Sequence, residues 1–211
     1  MLAQMRKRAV RQKKTFPSDE VAMQRVTELL QRAGLRGDMP WVSEADMEWY
    51  FQRGTMIHKA TVLVDTGTLD WDALDTRIVG HVRAYQRFID EVRPLVCESE
   101  QEVVSKKWDY IGHLDRVYRI AGRPVVCDIK TSAVDLPTRL QTMAYMLARH
   151  GGKRLARMGL ALHSDGTYKA TWWRSSIDYG IDMNGWVLGV LPNNPLEIRY
   201  WKRRVGMKET V

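Results

Sequence analysis

The chain has 211 residues, of which 45% are hydrophobic and 27% charged. These ordinary globular proportions exclude a collagenous, low-complexity or largely disordered polymer and leave enough chain for one domain with a real core. Thirty-three Lys and Arg against twenty-five Asp and Glu give a net charge of +8, which points to a polyanionic partner such as nucleic acid.

Two cysteines, Cys97 and Cys127, form no CxxC pair, which excludes a disulfide framework, a zinc ribbon and a four-cysteine iron-sulfur cluster as features of one chain. Both thiols are expected to be buried. No apolar stretch approaches the roughly 18 residues of a membrane span, and no apolar run follows the basic lead, so a cytoplasmic protein without membrane contact is expected.

In chain order, residues 1–42 read as a basic segment and a helix that belong to the same domain as residues 43–211. Phe16-Pro17-Ser18-Asp19-Glu20 starts that helix, Val21, Val26, Leu29 and Leu30 follow, and it stops near Gly34. Ser43 caps a second helix, which continues or breaks at Gly54 and ends at Gly67. Leu74, Ile78, Val82, Tyr85, Ile89 and Val92 recur every three or four residues, predicting one long helix over 70–92 stopped by Pro94. The first 93 residues therefore read as all-helical. Strands follow over 95–104, 108–120 and 124–130, the last two joined as a hairpin by Ala121-Gly122-Arg123-Pro124. A helix over 136–150 closes at Gly151-Gly152, strands over 156–162 and 168–173 flank a turn, and a short helix over 185–191 precedes a last strand or irregular basic segment. The pattern predicts an α/β (α+β) domain with a central mixed sheet flanked by helices.

The chemistry concentrates in the middle of the chain. Asp128 and Lys130 share one face of a strand end and Ile129 takes the other; alone, that triplet is a strand-end salt bridge. Gly112-His113-Leu114-Asp115 lies on the partner strand, and the turn near Gly122 brings Asp115 beside Asp128. Two carboxylates that close repel unless they share a proton or hold a hard cation, for which magnesium or manganese suits oxygen ligands. A glycine in a strand, as at Gly112, marks a bulge or a close approach. Gln141 and Tyr145 stand at i and i+4 on one helix face, and Arg53-Gly54 precedes His58 in the helical lead.

This ordered set resembles the PD-(D/E)XK nuclease superfamily, in its RecB-like and lambda-exonuclease-like branch of phage-type exonucleases. The resemblance rests on Arg53-Gly54 with His58, Gly112 with Asp115, Asp128 with Lys130 followed by Thr131-Ser132, and Gln141 with Tyr145. It implies a restriction-endonuclease-like core with a helical N-terminal extension. It also implies Mg2+ or Mn2+ held by His58, Asp115, Asp128 and a glutamate of the preceding strand, where Glu100 is preferred to Glu98 and Glu102, and no iron-sulfur cluster. Asp115, Asp128, Lys130, Gln141 and Tyr145 form the implied catalytic set, with Lys130 orienting or deprotonating water. DNA is the implied substrate, contacted by Arg53, Thr131, Ser132, Trp173 and Arg174. The implied activity is that of an exonuclease acting on DNA ends in recombination, repair or phage replication, in the cytoplasm of a bacterial or phage-infected cell. A structure-specific endonuclease and a catalytically silent DNA-binding recombination protein with the same fold are the alternatives. A single-strand annealing or binding protein as partner, and a homo-oligomer, stay open.

Overall fold

A computed structural model describes residues 23–36, 43–131 and 133–206, so the basic lead, the start of the first predicted helix and Ser132 lie outside the described residues. The described chain opens with a two-residue strand, β1 (Gln24–Arg25), and a short helix, α1 (Val26–Arg32), so the lead is not purely helical. Ser43 then accepts a hydrogen bond from the Asp46 amide and opens α2 (Glu44–Thr66), which runs unbroken through Gly54 to a left-handed Gly67 at φ 67°.

The long helix expected over 70–92 is shortened to α3 (Val79–Val92). Asp70 and Asp75 accept hydrogen bonds from the backbone amides of Asp72 and Arg77, a local alternative that competes with the helix over that stretch. Three strands follow, β2 (Leu95–Ser105), β3 (Tyr110–Ile120) and β4 (Arg123–Lys130). Ala121 and Gly122, both left-handed at φ 48° and 76°, form the loop between β3 and β4, as a two-residue hairpin turn requires. Asp135 caps α4 (Leu136–His150), and β5 (Ala156–Leu162) and β6 (Tyr168–Trp173) complete the sheet.

The C-terminal part is helical: α5 (Ser176–Asn184), a π-helical turn (Gly185–Val190) and α6 (Pro195–Arg204). The last of these replaces the expected strand. Asn194 caps it, Pro195 fills its first position and three basic residues close it, all helix signals, while Ile198 and Trp201 supply its buried side.

The sheet runs β1-β3-β4-β5-β6, with β2 paired to β3. β4 and β5 are parallel, while the pairings β2 to β3, β3 to β4 and β5 to β6 are antiparallel. The mixed sheet flanked by helices is that of a restriction-endonuclease-like core. One apolar cluster joins it to α1, α4 and the C-terminal helices, including Leu30, Met143, Trp186 and Trp201. The other joins it to α2 and α3, including Ile57, Phe88 and Leu160. Cys127 is buried in the second cluster, but Cys97 is exposed, because it falls at a register shift between Val96 and Glu98.

The feature that matters for function is a gap. β2 follows β3 along its whole length, so β4 and β1 share the opposite edge, pairing with residues 116–120 and 110–111. Among the described residues, 112–115 have no strand partner on that edge. The glycine and the aspartate of the GxxD pattern bound this open stretch.

Candidate active site

Where β3 parts from β4, a side chain replaces the missing ladder contact: Asp115 Oδ2 accepts the Ile129 N–H at 2.6 Å. This fixes the carboxylate of Asp115 beside Asp128, as the hairpin register demands. Gly112 sits at the other end of the opening. A Cβ there would lie 2.6 Å from the Tyr145 ring, so the close approach the glycine permits is made by the protein's own α4.

β2 supplies the next acid. Its extra residue at Cys97 shifts the register, and the pairs Ser99 to Arg116 and Gln101 to Leu114 place Glu100 across from Asp115. Glu100 has φ 50°, a conformation uncommon for a residue with a Cβ. His113 Nε2 lies 2.9 Å from its Oε2, and Arg116 donates to its Oε1 at 2.8 Å. Glu98 instead binds Arg149 on the surface.

From α2, His58 reaches the same acids, its Nδ1 3.5 Å from Glu100 Oε1 and 3.7 Å from Asp115 Oδ1. One ligand atom each of His58, Glu100 and Asp115 lies within 4.8 Å of the other two. Two carboxylate oxygens and an imidazole nitrogen make a donor set that magnesium or manganese accepts. Asp128 borders this trio without being part of it; the carboxylate is 1% exposed, and its Oδ2 is ion-paired with Lys130 Nζ at 2.7 Å.

Electrostatics follow from this crowding. Burial opposes charge on His58, but Asp115 and Glu100 outweigh it and hold the imidazole up to about 9. Burial pushes the Asp115 carboxyl above the usual carboxylate range, against the pull of His58 and with the repulsion of Asp128. Glu100, despite burial, is held down to about 2 by His58 and Arg116. A group of acids that recruits a proton onto a histidine is a group that would accept a cation.

Across from the trio, α4 supplies a second network. Gln141 Oε1 accepts from Lys130 Nζ at 3.1 Å and from Arg36 Nη2 at 2.5 Å, while Gln141 Nε2 donates to the Tyr145 hydroxyl at 2.7 Å. The amide is thereby fixed at both ends, and it fixes Lys130 beside Asp128. Tyr145 is kept a neutral phenol by burial first and by Asp128 and Asp115 next.

The remaining expected residues divide. Arg53 and Thr131 line one cavity of about 580 Å³ together with His81 and His163; among the described residues Arg53 Nε and His81 Nδ1 are buried without a hydrogen-bond partner. Trp173 is 6% exposed, so it belongs to the interior; Trp172 is the more open ring, and Arg174 stacks on it with Cζ 3.7 Å from the ring centre.

Two residues were not foreseen. Arg116 is fully buried and donates to Asp65, Thr61, Glu100 and its own neighbour's carbonyl. An arginine between Asp115 and Val117-Tyr118 in an apolar strand is itself a signal, because a buried guanidinium must be surrounded by acceptors. Arg36, in the loop after α1, carries no such signal.

A family model described as the PD-(D/E)XK nuclease superfamily matches residues 12–175. Among solved structures, the chain is similar to an alkaline exonuclease, LHK-Exo, from Laribacter hongkongensis, and to LHK-Exo in complex with dAMP. Each match is 14% identical, covers 88% of this chain and 94% of that one, and has a TM-score of 0.42. No curated protein matches. Among the described residues, no helix is long and apolar enough to cross a membrane.

Proposed function

The chain belongs to the PD-(D/E)XK nuclease superfamily, and from that premise we propose that it is a Mg2+- or Mn2+-dependent deoxyribonuclease that digests DNA from its ends. The observation that carries this reading is the convergence of His58, Glu100 and Asp115 beside the Asp128 to Lys130 pair, at the end of the stretch of β3 where it parts from β4.

Asp115 Oδ1, a Glu100 oxygen and His58 Nδ1 would hold the ion, with Asp128 contributing from β4. When bound, a divalent ion supplies Lewis acidity toward the phosphate and makes a water more acidic. The protein's own share is placement. Asp115 Oδ2 is tied to the Ile129 amide, which leaves its other oxygen for the ion, and Arg116 holds Glu100. Such support preserves the geometry of the ligands. Lys130 Nζ, set by Gln141, orients the attacking water, takes up its proton or offsets charge on the phosphate. Gln141 and Tyr145 keep that ammonium from swinging away, and alignment of this kind is worth a large part of a hydrolytic barrier.

The cavity of Arg53, His81, Thr131 and His163 supports a hold on the substrate strand. His81 has its pKa lowered by burial first and by Arg53 and His163 next, so an anion there would relieve repulsion among its neighbours. The end-acting specificity rests on the four-part resemblance of residues 53–145 to the lambda-exonuclease-like branch. The test is digestion of end-labelled linear, nicked and closed circular DNA with magnesium, manganese or chelator. Loss of linear DNA from its ends, with circles intact and chelator inhibiting, is expected. Cutting of closed circles would replace the exonuclease with an endonuclease, and hydrolysis in chelator would remove the metal.

A further inference from the structure

At the end of the sheet remote from the carboxylates lies a cavity of about 510 Å³ that the catalytic reading does not use. It is bounded by the hairpin turn after β3, the starts of β4 and β5 and the end of β6. Arg123, Arg154 and Arg174 stand around it, Ile120, Pro124 and Trp172 form apolar surface, and among the described residues no carboxylate lines it. The three arginines are exposed, and none of them makes an ion pair among the described residues. Three guanidiniums converging on one hollow without an acid is an arrangement that an anion stabilises.

The apolar part narrows the choice of anion. Arg174 Cζ sits 3.7 Å over the centre of the Trp172 ring, so the pair offers an aromatic and cationic surface on which a base can stack. Stacking surfaces among phosphate-binding charges are how single strands are held without regard to sequence. A duplex keeps its bases turned inward and could not use such a surface.

We infer that this cavity is a second, non-catalytic site for a single-stranded segment of nucleic acid, with bases against Arg174 and Trp172 and phosphates on Arg123 and Arg154. The identity of the polymer rests on the nuclease reading. β4 links the two places: Arg123 opens the strand at the cavity and Lys130 ends it at the catalytic acids, a separation of about 23 Å by strand rise. An unpaired strand a few nucleotides long spans that interval, so the cavity would grip the strand at a distance from the reacting phosphate.

The experiment measures binding in chelator, where no hydrolysis enters. A fluorescein-labelled 20-nucleotide oligo(dT) is titrated by anisotropy at several salt concentrations with the full chain and with its Arg123→Ala/Arg154→Ala and Arg174→Ala variants. The side chains are exposed, so unchanged thermal melting serves as the check on folding. The double variant is expected to bind about tenfold more weakly, and its salt dependence to flatten by about 1.4 in slope, at about 0.7 per lost phosphate contact. Arg174→Ala is expected to lose about tenfold through stacking. Parent-like affinity and slope in the double variant would overturn the inference. So would an acidic hexapeptide ending in phenylalanine that binds the parent more tightly than the oligonucleotide and loses affinity in the variants, since the cavity would then serve a protein. If the parent fails to cut DNA with either metal, the catalytic reading falls, while these titrations still decide the cavity.

Discussion

Two buried ionic centres touch α4, and they differ in what their charges leave over. Around Asp182, acids and bases close on one another. Its Oδ2 accepts from Arg157 at 2.6 Å and Arg139 at 3.2 Å, and its Oδ1 accepts from the Trp201 indole at 3.2 Å; Asp178 accepts from Arg139 and Ser175. Every oxygen of Asp182 has a donor, and two carboxylates meet two guanidiniums. Around Asp115 the accounts do not close. Glu100, Asp115 and Asp128 converge, Arg116 is shared with Asp65, Lys130 is ion-paired with Asp128 alone among the described residues, and His58 is driven to take a proton. Burial and charge are common to both centres. Incomplete neutralisation is what separates a site from a strut.

The sharpest way to test that distinction is to remove one acid from each centre. Asp128→Asn should lower hydrolysis about a thousandfold or more, since the amide keeps the shape and loses the charge on which transition-state stabilisation depends. DNA binding in chelator should persist. Hydrolysis close to the parent's, measured on end-labelled linear DNA with saturating manganese, would place Asp128 outside the chemistry. Asp182→Ala should do the reverse. It strands the buried Arg157 without its carboxylate, at a cost of about 3–5 kcal/mol in denaturant unfolding, while the activity of the molecules that remain folded holds. If stability stays and hydrolysis goes, the comparison is broken.

Lys130→Ala comes next in size. Taking away a group that orients or deprotonates water should cost about a hundredfold in kcat. The manganese affinity of the same variant, read by calorimetry, should hardly move. Loss of the ion along with the lysine would make Lys130 a structural counter-charge of Asp128 and bring this pair closer in kind to the Asp182 cluster.

How far the site could be read in advance follows from the range of each signal. Asp128, Lys130 and the hairpin were legible because a period of two and a Gly-containing turn are local facts. Gln141 and Tyr145 were legible as a helical pair, although only the structure shows that Gly112 leaves room for the Tyr145 ring. Glu100 was preferred to Glu98 and Glu102, but all three share one parity and the alternation alone does not choose among them; in the structure the register shift at Cys97 and the left-handed backbone of Glu100 turn that acid toward Asp115. Arg36 escaped because a loop residue gives no periodicity, and its partner Gln141 is far along the chain. The failures over 70–78 and 195–204 both turn on capping side chains: the aspartates close local turns in place of a helix, and Asn194-Pro195 starts one where a strand or irregular segment was expected.

The smallest effect concerns the proton that the acids hold on His58. In the metal-free protein the imidazole loses it only at about 9, above its ordinary value, so at neutral pH it is charged. A cation that takes Nδ1 must displace this proton. Apparent manganese affinity should therefore rise with pH, by about tenfold per pH unit for one proton released, and level off above about 9. In His58→Ala the affinity should be lower at alkaline pH and the pH slope largely gone. Calorimetry in two buffers of different ionisation enthalpy measures the released proton directly. A variant that still releases it would move the proton to Asp115, whose carboxyl burial also pushes up, and leave His58 as a packing residue of α2 rather than a ligand.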